Sequence, residues 1–170
     1  MISILGTVFA LLLLFSGSMT TAGEAITLPL ADDWAAEATQ ARQSGIPIMV
    51  VFSADHCFYC ERMKAEVLTP QLQQGLFKNR VRVREFNIDA GGKITDFDGE
   101  PIRGRIFVTR YNVFATPTVV LVDYRGKLLT SPLIGFDNSE DYANHLDRKI
   151  SNALDSLATS PRYVMGNQPE

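Results

Sequence analysis

The segment from Ile46 to Phe52 is nearly continuous apolar sequence rich in β-branched residues. After Ser53-Ala54-Asp55-His56 it runs into Cys57-Phe58-Tyr59-Cys60, at the head of a stretch of helical composition reaching Leu68. A strand with no polar face is covered on both sides, as in the centre of a layered sheet. A strand that feeds straight into a helix opens an α/β unit, so this junction restricts the fold class more than any other part of the chain. Upstream, Asp32 or Asp33 can cap a helix through Trp34, Ala38 and Ala41 to Gly45, with Pro47 blocking its extension. Downstream, Thr69-Pro70 is expected to interrupt the helix that Cys57 opens, before a second short helical piece reaching Phe77.

The alternation continues along the chain. Val81 to Ile88 reads as a strand with Val81, Val83 and Glu85 on one face and Arg82, Arg84 and Phe86 on the other, so Glu85 sides with the valines. Asp89 to Gly104 is a polar, Gly-rich connection, followed by a helical stretch through Phe107 to Tyr111 and a third apolar strand from Thr116 to Val122. Asp123-Tyr124-Arg125-Gly126 supplies a turn, and Lys127 to Ile134 returns as an antiparallel partner. A last helix begins near Asn138 and carries Tyr142, Leu146, Ile150, Leu154 and Leu157 as an apolar stripe for the sheet. The tail over 161–170, with two prolines and a glycine, reads as loose.

The first charged side chain is Glu24 and the first basic one Arg42. An apolar run from Ile2 to Phe15 leads to Thr20-Thr21-Ala22, a small-residue pattern suited to a signal peptidase, so residues 1–22 read as an export signal ahead of a domain over 23–160. The n-region lacks Lys and Arg, which keeps an uncleaved membrane anchor as the alternative. Uniform apolarity argues against a buried helix with a polar face. No Cys follows the run, so a lipoprotein anchor is excluded. Sixteen basic against nineteen acidic residues give a net charge of −3, with no basic excess to neutralise a phosphate backbone, and no nucleic-acid partner is expected. With 46% hydrophobic residues the chain has the material for a core, and two cysteines are too few for a disulfide scaffold.

Those two cysteines carry the chemistry. A thiol at a helix N-terminus faces unpaired backbone N–H groups and the positive end of the dipole, so its thiolate is favoured. Cys57 is the candidate nucleophile; Cys60, one turn inward, can attack a mixed disulfide formed on Cys57. The competing readings differ in what they need. A c-type haem needs His where the sequence has Glu61. Zinc lacks a second ligand pair, because His56 adjoins Cys57 but His145 is far along the chain, and no metal ligand is assigned. Two thiolates with Met63 near suit copper(I), so a copper(I) carrier is the metal rival. A merely structural disulfide would close a very short loop and remove little chain entropy, and a redox-inert interaction module is the remaining alternative. Ala115-Thr116-Pro117-Thr118 places a proline at the head of an inner strand, either as an ordinary trans strand-starter or as a cis bond exposing backbone beside the cysteines.

Asp55-His56-Cys57-Phe58-Tyr59-Cys60, then Asn87-Ile88-Asp89, then Arg110-Tyr111-Asn112-Val113 and Thr116-Pro117-Thr118 follow in an order that resembles the thioredoxin superfamily from Trp34 to about Leu157. Gly126 and Gly135 fit its closing hairpin. The connection through Thr95-Asp96-Phe97-Asp98-Gly99-Glu100 looks like the exported branch that includes SoxW-type proteins of bacterial sulfur oxidation. The resemblance implies a thioredoxin fold: a central mixed β-sheet flanked by helices, with an insertion between the family's third strand and the following helix. It also implies periplasmic thiol-disulfide exchange, with Cys57 attacking, Cys60 resolving and Thr116-Pro117 docking the substrate. The redox-active disulfide would be the only cofactor. Expected partners are disulfide-containing exported proteins and a membrane thiol electron donor. The lead from Glu24 to Asp33 is too short for a separate dimerisation domain, which argues against isomerase work, and a monomer is expected.

Departures from the family pattern matter as well. Val51 stands where thioredoxins carry a buried Asp, and Glu85 where they carry its lysine. Glu85 is either the proton acceptor for Cys60 or half of a surface salt bridge to an arginine. His56 replaces the tryptophan before the first Cys. It either stabilises the Cys57 thiolate when protonated or is a solvated loop histidine. Phe58 and Tyr59 replace the family's Gly-Pro and either contact a partner protein or pack locally. Asp96, Asp98 and Glu100 miss calcium-loop spacing and read as a solvated turn. Arg80, Arg82 and Arg84 read as an exposed strand face and His145 as solvated.

Overall fold

The computed structural model describes residues 27–159, so the export signal over 1–22 and the tail over 161–170 lie outside the described residues. The apolar run becomes β1 (Ile48–Ser53), buried along its whole length in the middle of a four-stranded sheet. Its parallel neighbour is β2 (Arg82–Asn87). Its antiparallel neighbour is β5 (Thr118–Val122), which pairs in turn with the short β6 (Leu133–Ile134). The sheet is therefore mixed and lies between two helical layers, with side chains dealt alternately to the two cores. Met49, Val51, Val83, Val119 and Leu121 pack on one side against Met63, Leu68, Leu146 and Ile150. Ile48, Val50, Phe52, Phe86, Val120 and Val122 face Trp34 and Phe107 on the other.

Helix α1 (Trp34–Ser44) starts where the Asp33 carboxylate accepts the Ala36 N–H and stops at Gly45, whose φ of 71° is the left-handed cap geometry. Helix α4 (Gly104–Arg110) shares its layer. The opposite layer holds α2 (Phe58–Met63) and α5 (Ser139–Ala158). The Asn138 side chain caps α5, which buries Tyr142, Leu146, Ile150 and Leu157 of the expected stripe. Thr69-Pro70 does not interrupt the helix after Cys57. The ladder shifts by one residue through a π turn at Lys64–Leu68, the Thr69 N–H bonds to the Lys64 carbonyl, and α3 (Thr69–Gln73) continues with the proline in its first turn. Proline lacks the N–H for the next bond of the ladder, and the π turn just upstream accommodates it, so the helix carries on.

The connection after β2 is more structured than a polar linker. It forms a hairpin of β3 (Lys93–Thr95) and β4 (Pro101–Arg103), which places Ile94 in the second core. Asp96 is not in a solvated turn: it is 5% exposed and bonds the Arg110 guanidinium through both carboxylate oxygens. The reason is its neighbour Phe97, whose ring packs 5.7 Å from Trp34 and 6.1 Å from Phe107, drawing the turn onto the core. The arginine face is also covered, since Arg82 and Arg84 both pair with Glu37 of α1 and Arg80 pairs with Asp147 of α5. The lead beyond α1 takes part in the sheet as well. Glu85 N–H bonds the Pro29 carbonyl at 2.9 Å and Ala31 N–H the Glu85 carbonyl at 3.1 Å, covering the outer edge of β2.

Candidate functional site

The site forms at the edge of the sheet where β1 ends and β5 begins. Cys57 is the N-cap of α2, and its Sγ lies 3.2 Å from the Cys60 N–H. The two cysteines form a disulfide with Cα atoms 5.2 Å apart. Their environments differ, because Cys57 is half-buried while Cys60 is fully buried. An incoming sulfur can therefore reach Cys57 and not Cys60.

The Thr116-Pro117 peptide bond is cis. The Thr116 hydroxyl donates to Cys57 Sγ at 3.4 Å, so the head of β5 and the head of α2 meet at one sulfur. Two bonds fix this loop: Thr118 Oγ1 donates to the Ala115 carbonyl at 2.7 Å, and the Gly135 N–H donates to the Pro117 carbonyl at 2.8 Å. Phe58 and Tyr59 are 68% and 52% exposed, with their rings edge to face. Arg62 lies over the Phe58 ring at 5.9 Å and over Phe136 at 5.3 Å while pairing with Glu66, which gives the apolar rim a fixed cation.

Glu85 faces the helix layer as its strand alternation requires. It is 8% exposed, sits in register with Val51, and accepts from Lys64 Nζ at 3.1 Å. Its partner is thus a lysine one helical turn past Cys60, and not an arginine. Lys64 also pairs with Glu61 at 2.7 Å. Burial, the largest single influence, pulls the Lys64 ammonium down, but its bonds to Glu61 and Glu85 outweigh it and hold the group above the ordinary lysine value. His56 is exposed, with a φ of 55° that is uncommon outside glycine. His145 is exposed on α5. Among the described residues no group of three or more His, Cys, Asp or Glu side chains is placed to hold a metal ion.

Two features were missed by sequence reasoning. Phe114, two residues before Thr116, is 72% exposed; a large apolar side chain in the loop leading to Thr116-Pro117 was the available signal. Asp55, Asn87 and Asp89 are joined in a hydrogen-bonded ring beside the turn that carries Cys57, through contacts no local pattern encodes.

Residues 34–150 match the thioredoxin-like domain family. The thiol:disulfide interchange protein DsbD of Ralstonia nicotianae is 25% identical over 113 residues, covering 66% of this chain and 17% of that protein's length. Among solved structures, mitochondrial thioredoxin 3 of Saccharomyces cerevisiae in its oxidized form is 19% identical, with a TM-score of 0.50 over 74% of this chain and 94% of that one. DsbH oxidoreductase is 16% identical, with a TM-score of 0.51 over 75% and 88%. At these identities the two structures bear on the fold.

Proposed function

This chain belongs to the thioredoxin-like domain family; from that premise and its Cys57–Cys60 pair we propose that it is a thiol-disulfide oxidoreductase, an exported reductase acting on disulfides of partner proteins in the periplasm. The observation that carries the reading is the asymmetry of the pair: a half-buried Cys57 sulfur bonded by the Cys60 N–H and the Thr116 hydroxyl, with Cys60 fully buried behind it. Donors aimed at a sulfur favour its thiolate. In the reduced protein the Cys57 thiolate attacks one sulfur of a partner disulfide, and the other partner sulfur leaves as a thiolate. Cys60 then loses its proton and attacks Cys57 Sγ, which frees the second partner thiol and leaves the Cys57–Cys60 disulfide. Two electrons have passed to the partner, and a membrane thiol donor restores the dithiol in the same exchange run against the protein's own disulfide.

In this reading Phe58, Tyr59, Thr116 and Pro117 dock the partner chain beside Cys57, and Glu85 takes the Cys60 proton. Val51 has no side chain for that task, and the Lys64 contact holds the Glu85 carboxylate on the Cys60 side of the sheet. The SoxW-like pattern of the insertion favours a protein-directed reductase, and the interchange activity in the name of the Ralstonia relative agrees with exchange at the Cys57–Cys60 pair. An uncleaved residue 1–22 segment would tether the same domain to the membrane. The test is reduction of a two-chain model disulfide protein by the parent, Cys57→Ser and Cys60→Ser. The parent should turn over, Cys57→Ser should be inactive, and Cys60→Ser should stall as a mixed disulfide on Cys57. Retained activity in Cys57→Ser, or copper(I) binding without turnover in the parent, refutes the reading. A pair potential close to about −270 mV supports a reductase, and one close to about −120 mV an oxidant.

A further inference from the structure

We propose that Asp55, Asn87 and Asp89 act together as a positioning clamp that holds the turn before Cys57 in the conformation the thiolate needs. The inference rests on the reading of Cys57 as nucleophile. In the turn between β1 and α2, His56 occupies the left-handed region at φ 55°, a conformation that a non-glycine residue keeps only where its surroundings hold it. One side of His56 is fixed by the helix, since the Cys57 carbonyl accepts from the Glu61 N–H at 3.1 Å and Cys57 Sγ lies 3.2 Å from the Cys60 N–H.

The other side is fixed by the ring. Asn87 Nδ2 donates to Asp55 Oδ1 at 2.7 Å, the Asp89 N–H donates to Asn87 Oδ1 at 2.9 Å, and the Asp55 N–H donates to Asp89 Oδ2 at 2.8 Å. Each member both gives and receives a bond. The ring is anchored in the sheet, because Asn87 is in register with Ser53 and the Ile88 N–H donates to the Ser53 carbonyl at 2.8 Å. It thus carries the β1–β2 pairing past the end of the strands to the backbone of Asp55, two residues ahead of the nucleophile. Without it, His56 is free to leave the left-handed region and Cys57 Sγ shifts from the Cys60 N–H.

The ring's charge works against the thiolate, and this makes the idea testable. The charged and titratable chain neighbours of Cys57 are Asp55, His56, Tyr59, Cys60 and Glu61; beyond the end of β2, Asp89 is held against the same turn by the Asp55 N–H, and from the β5 side the neutral Thr116 hydroxyl donates to the sulfur. By charge alone, removing the Asp89 carboxylate would lower the Cys57 thiol pKa. The clamp predicts the opposite for Asp89→Ala, because the turn relaxes and the thiolate loses its bonds. Asp89→Asn keeps an oxygen for the Asp55 N–H and should stay at or below the parental value.

The measurement is the alkylation rate of Cys57 against pH in the full reduced protein, with the pair's potential against glutathione beside it. Neither needs a partner protein, so this test stands apart from the turnover assay. Asp89→Ala and Asn87→Ala should each move the alkylation midpoint up, slow the reaction about threefold or more on its acid side, and make the pair more reducing. Glycine accepts the left-handed conformation, so Asn87→Ala made in a His56→Gly background should shift the midpoint less than it does alone. A midpoint that falls or stays put in both alanine variants, or an undiminished Asn87→Ala shift in the His56→Gly background, overturns the clamp.

Discussion

Arg110→Ala tests the ion pair that turns the insertion from a linker into part of the domain. The Asp96 side chain is 7% exposed, and it receives both Arg110 bonds and the Phe97 N–H at 2.8 Å. Stripping the partner from a fully buried charge costs about 3–5 kcal/mol. Two things reduce that figure. Arg110 is 36% exposed, so water enters from its side, and the Phe97 bond stays in place after the substitution. Two lost charge-assisted bonds with partial rehydration come to about 2–3 kcal/mol, or a melting point lower by about 10 °C for a domain of this size. The assay is urea unfolding followed by far-UV circular dichroism.

Acid provides the second arm. Arg110 above all, with help from the Phe97 N–H and against the opposing effect of burial, holds the Asp96 carboxyl below its usual range. A folded value below the unfolded one gives stability that is present above about pH 4 and is lost as pH falls through the folded value. The gap between parent and Arg110→Ala must therefore be widest near neutrality and close in strong acid. A difference under about 0.5 kcal/mol at neutral pH, or one that persists unchanged into acid, refutes the reasoning. The Cys57/Cys60 potential should not move, because α4 lies on the sheet face away from α2.

Phe58→Ser and Phe114→Ser should each raise KM for a protein disulfide by about threefold to tenfold while leaving exchange with a small disulfide unchanged, since both rings are exposed and add area only to a large partner. Equal losses on both substrates would place the effect at the cysteines instead. Gly126→Ala should destabilise by about 2–3 kcal/mol in thermal unfolding. Its φ is +75° and an added Cβ would sit 2.5 Å from the Phe97 ring; a neutral result would show that Phe97 is not wedged against Trp34. Glu85→Gln should flatten the pH dependence of the resolving step with Cys57 alkylation unchanged, and an unaltered profile sinks the proton relay.

What could be read along the chain was what is encoded by close neighbours. The apolar run of β1, the Asn138 cap and the α5 stripe follow from periodicities of two and 3.6, and Cys57 and Cys60 lie within one helical turn of each other. The missed features depend on residues far apart in the chain. Asp96 looks like any turn acid until Arg110, fourteen residues on, is folded back over it. The Asp55–Asn87 and Asp55–Asp89 bonds span 32 and 34 residues, and the pairing of Pro29 and Ala31 with Glu85 spans more than fifty. Thr69-Pro70 was misread for a different reason: proline removes one N–H, but a π turn just upstream shifts the ladder so that the helix carries on. The consequence for the site is specific. Cys57 and Cys60 are legible because they lie within one helical turn, whereas Asp89 follows the end of β2 and Thr116 precedes the start of β5. Asp89 reaches the Asp55 backbone and Thr116 the Cys57 sulfur only because a parallel and an antiparallel neighbour of β1 bring the end of one strand and the start of the other to the same edge of the sheet.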